Sequence, residues 1–251
     1  MHFDQSEFDV RCEWGRDGGS SISTGCDVLI VVDVLSFSTC VDVVVSRGAL
    51  VYPYQHGQDS AREFSDSIGA VLAGPRGESR LSLSPASLQT LASGSRLVLP
   101  SLNGATMTLE SRAPATFAGC LRNARSVGKA ALEQGKRIAV IPAGELWPDG
   151  TLRPCFEDWI GAGAIIDSLS GRLSPEAEAA RDSFRQALPS VLHKLKQSGS
   201  GKELIQKGFA PDIEIAAQVN SSQSVPVLVD GAYVDRGTGR VKSLRTRRGQ
   251  G

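Results

Sequence analysis

Short, unbroken apolar runs alternate along the chain with polar punctuation rich in glycine and serine. Val28 to Val32 (VLIVV) shows no in-and-out alternation, which predicts an inner strand of a parallel sheet covered on both faces. Further strands are predicted at Ala49 to Tyr54, Ala70 to Ala73, Arg96 to Leu99, Ala115 to Gly119, Arg137 to Ile141 and, as the last, Val225 to Val229. Between them, helices are predicted at Phe37 to Arg47, Gln58 to Ile68, from the polar turn at Cys120–Ala124 through Gln134, Ile160 to Leu169, and Pro211 to Val219. This alternation predicts an α/β fold: a layered, predominantly parallel or mixed sheet flanked by helices. A helical excursion near residues 175–220 leaves that rhythm, interrupted at Pro189 and again at a flexible Ser198–Gly201 turn. Residues 1–25 read as a short opening element and a surface loop. The expected organisation is one α/β unit over residues 1–235, with room for two lobes, and a basic flexible tail over 236–251.

Charge narrows the function. Lys plus Arg and Asp plus Glu both number 27, so no broad basic surface for nucleic acid is expected, and the short basic tail alone argues weakly for one. No apolar run has the length of a membrane span. The opening MHFDQSEFDVRCEW lacks the basic-then-apolar order of a signal peptide, so a cytoplasmic protein acting on small molecules is expected. The five cysteines are widely spaced with no C-x-x-C pair, and read as buried fillers apart from Cys155, which sits in a polar segment and could be reactive.

Candidate chemistry gathers where strands give way to helices. Asp33 ends the Val28–Val32 run, at the strand edge where open α/β sheets usually place ligands. Ser36, Ser38 and Thr39 follow at the start of the next helix, offering hydroxyls and free N–H groups to an anion such as phosphate, while the carboxylate can hold a divalent cation or simply cap the helix. Asn103 and Gly104 repeat the arrangement after another strand, and Arg122 and Asn123 after a third. A planar guanidinium at Arg122 suits bidentate phosphate or sulfonate contact, and the two asparagines would orient the same ligand or shape turns. Arg76 and Arg80, in the long loop from Gly74 to Ser84, are further anion contacts. After Arg137–Ile141 come Glu145, Asp149, Glu157 and Asp158, with Glu145 and Asp149 placed to approach across a Pro-Asp-Gly turn. So many carboxylates without basic neighbours must be solvated or hold a cation, and all-oxygen donors favour Mg²⁺.

In order along the chain, VVDVLSFSTC (31–40), SLNGAT (101–106), GCLRNA (119–124), IPAGELWPDG (141–150), FEDWIGAGAI (156–165) and VPVLVDG (225–231) resemble the 2-phosphosulfolactate phosphatase family. The resemblance implies a Mg²⁺-dependent α/β hydrolase that removes phosphate from 2-phospho-3-sulfolactate, giving sulfolactate in the route toward coenzyme M. It implies Asp33, Arg122 and Glu145 as catalytic candidates. Ser36, Ser38, Thr39, Asn103, Gly104, Arg122 and Asn123 are the expected substrate contacts, and Asp33, Glu145, Asp149, Glu157 and Asp158 the expected metal ligands. Three departures stand out: Ser36 where the family commonly has arginine, Leu102 in place of a proline, and a Gly74–Ser84 loop of different character. Direct attack by water and a covalent route through Asp33, Ser36 or Cys155 both stay open, as do a different small phosphorylated hydroxy acid as substrate and a non-catalytic metabolite-binding role. The glycine-bearing apolar helix around Gly161 and Gly163 leaves open a homodimer or packing within one subunit.

Overall fold

The computed structural model describes residues 3–55 and 58–238. The first half of the chain runs β1 (Val10–Cys12), α1 (Gly15–Ile22), β2 (Val28–Val32), α2 (Phe37–Ser46), β3 (Leu50–Tyr54), α3 (Gln58–Ser67), β4 (Val71–Leu72), α4 (Pro85–Leu88), β5 (Arg96–Pro100) and α5 (Gly104–Glu110). It continues with β6 (Ala115–Gly119), α6 (Ala124–Gln134), β7 (Ile138–Pro142), a small hairpin of β8 (Glu145–Leu146) and β9 (Leu152–Arg153), and α7 (Phe156–Ile166). The excursion holds α8 (Pro175–Ala187), α9 (Val191–Gln197), α10 (Gly199–Gln206) and α11 (Ala210–Ala216), and the chain then returns as β10 (Pro226–Val229) and β11 (Ala232–Asp235).

Nine strands form one mixed sheet in the order β1-β7-β2-β6-β10-β11-β3-β5-β4. Strands β1, β7, β2 and β6 make one parallel block and β3, β5 and β4 another. The β10–β11 hairpin stands between them, pairing antiparallel with β6 on one side and β3 on the other. All five residues of β2 are buried, as an unbroken apolar run requires. Val28, Ile30 and Val32 face a core shared with α6, α7 and α8, whereas Leu29 and Val31 face a smaller one with Ile22 of α1 and Ile141 of β7. Each such side chain removed from water contributes roughly 1.5–3 kcal/mol before conformational entropy is set against it. A third core packs α2 and α4 against β3 and β5.

Three expectations are corrected, and one point left open gains detail. The short opening element is β1, which extends the sheet beside β7, but the glycine- and serine-rich stretch expected as surface loop is helical over GRDGGSSI, as α1. The supposed flexible turn at Ser198–Gly201 is a helix start. The Ser198 hydroxyl accepts the Gly201 N–H, and a Cβ on Gly201 would lie 1.8 Å from the Leu195 carbonyl oxygen. Val225–Val229 is not the last strand, because β11 follows across the Asp230–Gly231 turn. Finally, the glycines of α7 serve packing within the subunit: Gly163 lies against the Ala180 backbone and Gly161 against Val32 and Val34. Of the expected basic tail, Arg236 is held by the Ala130 carbonyl and Glu133, and residues 239–251 lie outside the described residues. Among the described residues, no helix is long and apolar enough to cross a membrane.

Candidate active site

The C-terminal ends of four parallel strands, drawn from both blocks, meet at one open cavity of about 370 Å³. Asp33 enters it after β2, Gln55 after β3, Ser101 after β5 and Gly144 after β7, and the start of α7 adds Glu157 and Asp158. Glu145 lies at its rim, together with Asn103 and Ser200.

Asp33 is 7% exposed and joins two helix starts. Its Oδ1 accepts the Phe37 N–H at the head of α2 (3.0 Å), and its Oδ2 accepts the Gly104 N–H at the head of α5 (3.2 Å). A side chain at Gly104 would fall 2.3 Å from the Phe37 ring and 2.9 Å from Asp33 Oδ2, so glycine is needed for this approach. Burial pushes the Asp33 carboxyl up to about 6 against the pull of the two N–H groups, and the nearby charges of Glu145 and Glu157 push the same way.

Glu157 is 2% exposed, and its Oε2 is buried with no hydrogen-bond partner. An ionised oxygen in that state is costly unless a cation or a donor meets it. Asp158, next to it, is fully engaged. Its Oδ1 accepts the Val34 N–H (2.7 Å) and its Oδ2 the Gly144 N–H (2.9 Å), which ties the ends of β2 and β7 together. Burial holds the Asp158 carboxyl well above the usual carboxylate range, and the charges of Asp33 and Glu157 add to the shift. Asn103 Nδ2 donates to Glu145 Oε1 (2.7 Å), so this asparagine orients a carboxylate.

Several expected contacts go elsewhere. At the α2 and α5 starts expected to receive phosphate, the Phe37 and Gly104 N–H groups already serve Asp33. Ser38 accepts the Asp33 N–H and donates to the Val31 carbonyl, and Thr39 donates to the Val34 carbonyl, so both hydroxyls shape the turn and neither lines the cavity. Arg122 is not in the cavity. Its Nε donates to Asp42 Oδ2 (2.7 Å), and its Nη1 donates to Gln218 Oε1 and the Ile215 carbonyl. Asn123 is buried beside it, accepting the Cys120 N–H in its own turn. Asp149 sits exposed at the tip of the β8–β9 hairpin, where hydrogen bonds from the Thr151 side chain and N–H hold its carboxyl below the usual range. Cys155 lines the cavity, but burial and the Asp158 and Glu157 charges push its thiol up, against a nucleophilic role. Arg80 is exposed and lines neither this cavity nor the cleft beside it.

Ser36 does line the cavity, and its hydroxyl accepts from Arg76 Nη2 at 2.6 Å. Sequence reasoning passed over Arg153 and Ser200. Arg153 is the register partner of Glu145 in the β8–β9 hairpin, so completing that hairpin from its Pro-Asp-Gly turn would have placed the two together. Among the described residues, no three His, Cys, Asp or Glu side chains converge as a ready-made cation cage.

A mixed sheet flanked by helices, with an acidic cleft at the strand ends, defines the class as an α/β protein with its candidate ligand site at the C-terminal edge of the sheet. Comparison with known proteins narrows it. The family model for 2-phosphosulpholactate phosphatase matches residues 20–231, and the chain belongs to that family. It is 32% identical over 226 residues, 88% of this chain and 93% of the relative, to the 2-phosphosulfolactate phosphatase of Methanothermobacter thermautotrophicus. It is 31% identical over 210 residues, 79% of this chain and 84% of the relative, to a protein of Carboxydothermus hydrogenoformans named "Probable 2-phosphosulfolactate phosphatase". A protein of Thermus thermophilus with the same name is 30% identical over 215 residues, 80% of this chain and 88% of the relative.

Proposed function

We propose that the protein is a Mg²⁺-dependent phosphomonoester hydrolase converting 2-phospho-3-sulfolactate and water to 3-sulfolactate and phosphate. The observation that carries this reading is the unpartnered, buried Glu157 Oε2 in the same cavity as Asp33, in a chain of this family. Glu157, with its free Oε2, and Glu145 are the foremost residues that would hold the cation; Asp33 and Asp158 each already accept a backbone N–H at both oxygens and would meet it through a remaining lone pair. Among the described residues no three such side chains converge as a cage, so a bound Mg²⁺ would have to keep several waters and share its other positions between one or two of these carboxylates and substrate phosphate. Bound Mg²⁺ would supply neutralisation of the phosphoryl oxygens. Asn103 fixes the Glu145 carboxylate, and the joint capping of α2 and α5 fixes Asp33, so neither must reorganise when substrate arrives. Ser36, Ser101 and Ser200 provide neutral hydrogen-bonding groups on the cavity wall.

Phosphate release from 2-phosphosulfolactate and from 2-phospholactate, with Mg²⁺ and after chelation, tests the reading. Turnover of the first that stops on chelation and returns with Mg²⁺ is expected. Preference for 2-phospholactate would move the substrate to another small phosphorylated hydroxy acid, and no metal-dependent turnover of either would reject the function.

A further inference from the structure

The acidic cavity does not end at Glu145. A second cleft of about 470 Å³ opens beside it and shares Leu35, Glu145 and Ser200 with it, and here the charge changes sign. Two guanidiniums reach this cleft from separate parts of the fold: Arg76 from the loop after β4, and Arg153 from β9.

Both are held in place by the protein. Arg76 stacks on the Phe209 ring (5.4 Å from the centroid), donates to the Ser36 hydroxyl and the Leu83 carbonyl, and faces Asp212 Oδ2 at 3.5 Å. Asp212 is 1% exposed, and its other oxygen accepts from the Ser84 hydroxyl and the Ala86 N–H. The Arg76 Nε stays buried with no hydrogen-bond partner. Arg153 lies over the Trp147 ring (5.6 Å) and donates to Ser200 Oγ (3.3 Å), and among the described residues it makes no ion pair. Lys207, also in this cleft, is paired with Glu203 at 2.6 Å. The cleft therefore holds two oriented guanidiniums, Arg153 without an ion pair among the described residues and Arg76 sharing its charge with Asp212, while Arg122, the arginine first expected to meet the anion, pairs with Asp42 and lines neither cavity.

We infer that Arg76 and Arg153 form a subsite for the non-reacting anionic group of the substrate, a carboxylate or a sulfonate, and so select phosphomonoesters that carry a second anion. The inference rests on the hydrolase reading above, which puts the phosphoryl group among the carboxylates of the first cavity. The neighbouring arginines are then left for the rest of the molecule. Ser36 takes part as the neutral seat on which Arg76 lies. Asp212 is a positioning residue, acting through Arg76.

The test compares Arg153→Gln and Arg76→Lys with the unaltered protein on 2-phosphosulfolactate, 2-phospholactate and glycerol 2-phosphate, which has no second anion. Losing one charge-assisted contact is expected to raise KM for 2-phosphosulfolactate about 10- to 100-fold while kcat changes little. For glycerol 2-phosphate, kcat/KM should stay within about 2-fold. A matching effect on 2-phospholactate assigns the subsite to the carboxylate, and an effect confined to 2-phosphosulfolactate assigns it to the sulfonate. Equal losses on glycerol 2-phosphate would overturn the inference by making these arginines phosphoryl contacts, and unchanged KM values would overturn it outright. Should the protein hydrolyse none of the three, calorimetric titration with 3-sulfolactate separates the two readings. Binding that Arg153→Gln abolishes supports the subsite although the hydrolase has failed, and absent or unaltered binding ends it. Arg153 lies on a small surface hairpin, so its variant stays informative even if changes at Arg76 disturb folding around Asp212.

Discussion

The ends of β2 and β6 lie side by side in the sheet and are written in nearly the same way: an apolar strand, a polar turn, then a helix. One opens into the acidic cavity. The other is sealed. Over the end of β6, the segment after α11 folds down so that the Asn220 and Ser222 N–H groups donate to the Leu121 and Arg122 carbonyls, and Ser224 donates to Asp42. Arg122 and Asn123 are thereby turned into structure, while Asp33, one strand away, keeps a face toward the cavity. Local sequence grammar brings a polar group to a sheet edge, but what later packs over that edge decides whether it meets a ligand.

The sharpest way to break this comparison is at Glu157. Glu157→Gln should lower kcat on 2-phosphosulfolactate about 10²- to 10³-fold, with an unchanged far-ultraviolet spectrum and weakened Mg²⁺ dependence. Near-normal turnover would remove the acidic cavity from the chemistry. At the sealed end, Arg122→Gln leaves Asp42 buried beside a neutral partner, so thermal or denaturant unfolding should show a loss of about 3–5 kcal/mol. The surviving folded fraction should turn over at the normal rate. A stable but inactive Arg122→Gln protein would restore Arg122 to the site and defeat the contrast. A smaller effect is expected at Asn103→Ala, which leaves the Glu145 carboxylate with only its Leu146 N–H bond and should reduce kcat/KM by roughly 10-fold, for about 1–1.5 kcal/mol. Asp149→Asn marks the lower limit. This exposed carboxylate serves only the turn around Thr151, so steady-state rates should stay within about 2-fold.

Much of the fold could be read along the chain because its central strands are long enough to declare themselves. Val28–Val32 and Ile138–Pro142 are buried throughout, and runs of that kind leave few alternatives. The opening β1 has only three residues and owes its place to β7, a partner about 130 positions away, which local pattern cannot register. Glycine and serine at 198–201 carry the composition of a turn, yet tertiary packing against Leu195 selects a helix there. Asp33, Glu145 and Glu157 stood out because carboxylates after strong strands are conspicuous. What could not be seen was which of the acids would keep an oxygen free. Asp158 and Glu157 are adjacent and alike in sequence, and only the Val34 and Gly144 backbone donors distinguish them.

The β10–β11 hairpin, emitted last from the described chain, is wedged between two blocks of sheet made much earlier. During synthesis, the edges of β6 and β3 that face this hairpin must therefore wait with unpaired amides until residues 226–235 have been added. A chain ending before Pro226 would present two unpaired strand borders at once, each a template for edge-to-edge association.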